Sequence, residues 1–173
     1  MDVRGRRRGA DGRGAGERSA QSDGVSSRDA GATLVDLASV DPTIRVDARY
    51  ATKDNVLGVR MYPDGRLFAL PPVGARLARV QAVLRSEGLS LVVYDAYRPQ
   101  TVQQRMWERF PDDRYVANPA VGSNHSRGAA VDLTLARADG EMLAMPTPFD
   151  DFTRRAHRDF MDLPDGVLAN RAR

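Results

Sequence analysis

The stretch GSNHSRGAAVDLTL, Gly122 to Leu135, sets His125 and Asp132 with six residues between them. In its second half Val131, Leu133 and Leu135 alternate with Asp132 and Thr134, and a period of two is that of a β-strand. The apolar set is expected to face a core, which turns Asp132 and Thr134 to the opposite face, toward solvent or a cleft. Gly128 lies between the two halves and permits a tight loop that swings His125 over that face. Neutral imidazole and carboxylate oxygen are both good zinc ligands, and a catalytic zinc takes three protein ligands and keeps one position for water. This stretch supplies two of the three. The competing reading is a loop histidine beside an exposed strand aspartate, with no ion between them.

The chain has 173 residues, the size of one ordinary domain, and 42% of them are apolar, enough to bury a core. It has no cysteine, which excludes disulfides and thiolate metal sites, and its only histidines are His125 and His157. The formal charge is +3, of which +2 falls in residues 1–31, so the remainder is nearly neutral. That opening segment is rich in Arg, Gly, Ser, Ala and Asp, and residues 1–32 are expected to form a disordered tail ahead of a folded domain at 33–173. Arg4, Arg6, Arg7 and Arg8 suggest a nucleic-acid arm or an export signal. No aromatic residue is interleaved with them and no apolar segment follows, so neither nucleic acid nor membrane is an expected partner. The simplest compartment is the cytoplasm.

Along the folded part, Ile44, Val46 and Ala48 alternate like a strand. Val73 to Glu87 carries Leu77, Val80 and Leu84 at helical spacing and stops at Gly88. Leu89 to Tyr97 is a short apolar run expected to be a buried strand. Arg98 closes it before Pro99, placing a guanidinium at a strand end, where it serves either a fixed chemical task or an ion pair with Asp95. Thr101 and Gln104 form a capping box ahead of Val102, Met106 and Phe110, and Pro111 to Val121 reads as a loop. Asp139-Gly140 predicts a hairpin returning through Met142, Leu143 and Met145. Thr147-Pro148-Phe149-Asp150 has the form of a helix start, continued by Phe152, Ala156 and Phe160. Together these predict an α+β fold: a small antiparallel sheet carrying the site, with flanking helices.

The wording SxHSRGxAxDLTL, from Ser123 to Leu135, resembles the zinc D-alanyl-D-alanine dipeptidases of the vancomycin-resistance type. DARYATKDN (Asp47 to Asn55), YDAYRP (Tyr94 to Pro99) and PFD (Pro148 to Asp150) match the same family in the same order. The resemblance implies a zinc metallopeptidase acting on the free dipeptide, with His125 and Asp132 as metal ligands and Arg98 stabilising the oxyanion. Tyr50, Ser123 and Asp150 would hold the ends of the substrate. Residue by residue, ordinary alternatives stand beside these roles: Tyr50 as a core or rim tyrosine, Asp150 as a helix cap, His157 as a packing or hydrogen-bonding residue. The family completes its site with a Glu-x-x-His pair, general base and third ligand, and no such pair occurs in this sequence. Glu141 and His157 are the remaining loose candidates. The resemblance therefore predicts a dipeptidase-like domain lacking its C-terminal segment, with impaired zinc binding and turnover and with homo-oligomers allowed. A zinc peptidoglycan carboxypeptidase and a catalytically silent dipeptide- or protein-binding domain are the alternatives.

Overall fold

The computed structural model describes residues 33–173; the tail expected at 1–32 lies outside the described residues. The chain opens with β1 (Val35–Asp36), α1 (Leu37–Val40) and β2 (Arg45–Val46), then a 3-10 turn at Arg49–Ala51. It continues through β3 (Phe68–Ala69), α2 (Pro71–Ser86), β4 (Leu89–Asp95), α3 (Gln100–Arg109), β5 (Asp132–Arg137) and α4 (Asp165–Ala172). Small sheets with helices beside them give the α+β class expected. β1 and β3 form an antiparallel pair, and β4 sits between β2 and β5 in a second sheet. The β4–β5 pair is antiparallel, whereas β2 joins β4 in parallel, so the site-bearing sheet is mixed.

β4 is the centre of the molecule because its sequence is apolar on both faces: Leu91, Val92 and Val93 are all buried. α2 packs against it with a buried face that includes Leu77, Gln81 and Leu84, while Gly74 lies against Val35 and Val40. Val80, which helical spacing alone places on that stripe, is exposed, and the fully buried Gln81 takes its place. The reason is a polar clasp. Gln81 Oε1 accepts from the Leu91 amide and its Nε2 donates to Thr43 and Ser90, so an amide satisfies backbone that a valine could not.

Three further expectations change in detail. α3 starts at Gln100, and the amides of Val102 and Gln103 bond the Pro99 carbonyl, leaving Thr101 without a capping role. The Asp139–Gly140 turn forms, but its returning strand shrinks to one bridge between Met142 and Ala136. No α-helix starts at Thr147. Asp150 sits at φ +56, and only a 3-10 turn at Arg154–Ala156 appears, because Phe149 is drawn onto Tyr94 and Tyr50 instead. No helix among the described residues is long and apolar enough to cross a membrane.

The end of β4 and the start of β5 meet at one rim of the sheet. Val93 faces Leu133, and beyond them a bulge inserts Tyr94, so Asp95 comes opposite Asp132. A bulge of this kind bends the strand and re-aims its side chains. It leaves Asp95 pointing inward and Tyr94 toward the cavity at that rim. Leu91→Ala, at a side chain 1% exposed, should cost about 2–5 kcal/mol in urea unfolding. Val83→Ala, on the 61% exposed outer face of α2, should stay within about 0.5 kcal/mol.

Candidate functional site

His125 is presented by a compact turn. The Ser123 hydroxyl accepts from the His125 amide at 3.1 Å, and the Gly128 amide donates to the His125 carbonyl at 2.9 Å. Gly128 ends the turn at φ +68, and a side chain there would press on Leu34 Cδ2 at 3.0 Å. The turn is stitched to the rim of the sheet, since Arg98 N donates to the His125 carbonyl and Leu70 N to the Gly128 carbonyl. The imidazole is oriented by its own second hydrogen bond: Nδ1 lies 2.8 Å from the Ala96 carbonyl, so Nδ1 carries the hydrogen and Nε2 presents its lone pair. Nε2 is 3.5 Å from Asp132 Oδ1. Burial alone would lower the ring's proton affinity, but the neighbouring Asp132 outweighs it and raises His125 above its ordinary value.

Asp95, His125 and Asp132 bring three metal-type ligand atoms within 4.8 Å of one another. Of the three, Asp95 has no lone pair to spare. Its Oδ1 accepts from Tyr62 Oη at 2.5 Å and from the Ala96 amide at 2.9 Å, and its Oδ2 accepts from Arg98 Nε and Nη2 at 3.1 and 2.5 Å. Four donors saturate a carboxylate. Asp95 therefore orients its neighbours, while His125 Nε2 and Asp132 face the open side. Arg98 loses solvation on burial, but Asp95 compensates more strongly and keeps the guanidinium charged.

A cavity of about 960 Å³ opens over this rim and is lined by Tyr50, Arg98, Ser123, His125, Asp132 and Asp150. Tyr50 Oη donates to Asp150 Oδ2 at 2.6 Å across a hundred residues of chain. Burial pushes Asp150 up to about 6, with the Tyr50 hydrogen bond opposing and the charge of Asp132 assisting. Burial likewise raises the Tyr50 hydroxyl, assisted by Asp150, so it remains a donor at neutral pH. Phe149 packs on Tyr94 at 4.8 Å between ring centroids and walls one side.

The D-ala-D-ala dipeptidase family model matches residues 30–173 of this sequence. The chain belongs to that dipeptidase family. It is 40% identical over 138 residues to a D-alanyl-D-alanine dipeptidase of Escherichia coli, covering 80% of this chain and 72% of the relative. A Streptomyces coelicolor protein of the same name is 36% identical over 160 residues, covering 79% of each. An Enterococcus faecium one is 31% identical over 150 residues, covering 75% of this chain and 72% of that protein. The family is one of hydrolases.

In this dipeptidase-family chain all six residues singled out from sequence reach one cavity, whereas His157 and Glu141 do not line it. His157 Nε2 lies 3.3 Å from Tyr115 Oη, and Glu141 is an exposed partner of Arg137. Leu133, expected in the core, is 40% exposed and lines the cavity; β5 ends its sheet, and among the described residues only Met142 bridges beyond it, at Ala136. Thr134 is buried instead. Sequence reading missed Tyr62 and Gln103, the buried partners of Asp95 and Arg98. Neither stands in a stretch with motif wording, and only the folded contacts single them out. Gly128→Ala should destabilise the chain by about 1–3 kcal/mol through the left-handed backbone, measured by chemical denaturation.

Proposed function

We propose that this chain is a zinc metallopeptidase for free D-alanyl-D-alanine, with His125 and Asp132 as metal ligands. The observation that carries the reading is the convergence of Tyr50, Arg98, Ser123, His125, Asp132 and Asp150 on one cavity. The donor set suits the ion. Two ligands roughly 2.0–2.2 Å from a tetrahedral zinc stand roughly 3.3–3.6 Å apart, and Nε2 and Oδ1 are 3.5 Å apart with no proton required between them. When bound, zinc supplies a Lewis acid for the scissile carbonyl and lowers the pKa of water.

The chain's own residues set the rest. Asp150, ionised above its raised value of about 6, offers a carboxylate to the substrate ammonium, and Tyr50 fixes its direction. A substrate whose amino end is free and close to the scissile bond satisfies that carboxylate; a longer peptide leaves it buried and unpaired, which favours the dipeptide over peptidoglycan. Three of the five guanidinium hydrogens of Arg98 are held by Asp95 and Gln103. The two others, one on each terminal nitrogen, remain for the oxygen that gains charge as the amide is attacked. Ser123 has its oxygen committed to the His125 amide and its hydrogen free for the other end of the dipeptide. Removing this dipeptide from wall-precursor synthesis places the reaction in the cytoplasm.

Among the described residues, the cavity lining includes one histidine and no glutamate. Titration calorimetry on the purified chain should show one zinc site, abolished in His125→Ala, and the zinc-loaded chain should hydrolyse D-alanyl-D-alanine. Dipeptide binding without zinc and without hydrolysis would overturn this reading and make the chain a silent binding domain. The pH dependence follows from Asp150. Because its carboxyl is raised to about 6, dipeptide affinity should fall about tenfold per unit below that pH and be flat above it until the substrate ammonium itself loses its proton at about pH 8. Asp150→Asn should bind weakly at every pH in the same calorimetric series.

A further inference from the structure

The inner side of Arg98 is built by two residues without a role in the site as described so far. Tyr62 is 6% exposed and Gln103 fully buried. Tyr62 Oη donates to Asp95 Oδ1 at 2.5 Å, and the other oxygen of the same carboxylate grips Arg98 twice. Gln103 Oε1 accepts from Arg98 Nη1 at 3.0 Å while its Nε2 donates to the Ala117 carbonyl at 2.6 Å. Only one orientation of that amide satisfies both contacts, since the reverse would set donor against donor and oxygen against oxygen.

We propose that Tyr62 and Gln103 are positioning residues for Arg98: they hold the guanidinium plane at both terminal nitrogens so that its two free hydrogens are fixed toward the cavity before substrate arrives. This rests on the reading of Arg98 as the group that meets the developing oxyanion. A donor acts on a transition state in proportion to how little it must reorganise, and a flexible arginine side chain must first be immobilised. Asp95 alone fixes Nε and Nη2. Gln103 fixes Nη1, and Tyr62 stops the carboxylate from rotating away. The network is closed: every oxygen of Asp95 and Gln103 has its donor, and the chain from Tyr62 to Ala117 passes through the arginine.

The test uses the full chain with Tyr62→Phe and Gln103→Met, and with Arg98→Lys to assign the arginine signals. Nitrogen-resolved NMR of the Arg98 side chain should show two separate Nη environments in the parent. They should merge in Tyr62→Phe and in Gln103→Met. With zinc present, D-alanyl-D-alanine turnover in both should lose about tenfold in kcat with KM within about twofold. Parent-like Nη signals in both Tyr62→Phe and Gln103→Met would overturn the proposal, as would a loss confined to KM. If Gln103→Met fails to fold, Tyr62→Phe, which removes a single oxygen, decides alone. A parent chain with no turnover at all would count against the hydrolase reading, and the guanidinium spectrum would still decide whether these two residues fix Arg98.

Discussion

A carboxylate without solvent must be surrounded by donors, and Asp95 imposes that requirement on everything near it. It is fully buried at the end of β4 and receives four hydrogen bonds, from Tyr62, Ala96 and twice from Arg98. Taking one partner from such a buried ion pair typically costs about 3–5 kcal/mol, because the remaining charge is stranded. The fold therefore cannot release Arg98, and a group with a proposed chemical task is held by a structural demand. An ion pair with Asp95 and a role in the cavity looked like alternatives for this arginine. They occupy different hydrogens of one guanidinium, so each is compatible with the other.

The same pairing sets the charge of the cavity. With Arg98 balanced by Asp95, the ionisable lining that remains is Asp132 and Asp150 against His125 and Arg171, and Arg171 Nη1 is turned to the Phe160 carbonyl. Each of the two carboxylates is a place that favours a cation. Asp132 raises His125 toward holding a proton, and a divalent ion at Nε2 answers the same field. Asp150 is far enough into the wall that burial raises it to about 6, which marks a carboxylate short of a counter-charge. A dipeptide ammonium supplies one. On the proposed reading, metal and substrate would each relieve one of two separate accumulations of negative charge in one cleft.

Much of this was legible in the sequence because it is local. Gly128 between a polar turn and an alternating strand does bring His125 to Asp132, and the apolar run Leu89 to Asp95 does form the buried strand that delivers Arg98. What periodicity could not show is tertiary. Gln81 and Gln103 are fully buried and look from sequence like exposed helix positions; each is buried because it satisfies backbone or guanidinium groups contributed by other segments. The segment after Thr147 reads as a helix start in every local respect, but Phe149 gains more by packing on Tyr94 and Tyr50 than a first helical turn offers. Leu133 alternates correctly and is still uncovered, because alternation reports a face and not whether anything packs on it.

Asp150 joins these strands of explanation. Its φ of +56 is the only left-handed non-glycine conformation among the described residues. Aspartate tolerates that region better than most residues, yet holding it there still costs on the order of 1 kcal/mol or more. The offset comes from Tyr50, whose buried hydroxyl bonds the carboxylate at 2.6 Å, and from Phe149 seated beside it. A helical backbone at Thr147 to Asp150 would have capped a turn and satisfied a local rule. The left-handed kink instead turns the carboxylate inward, to the cavity shared with His125 and Asp132. Local strain and unpaired charge at one residue are both unfavourable for folding alone, and both become intelligible once a cationic ligand is the missing partner.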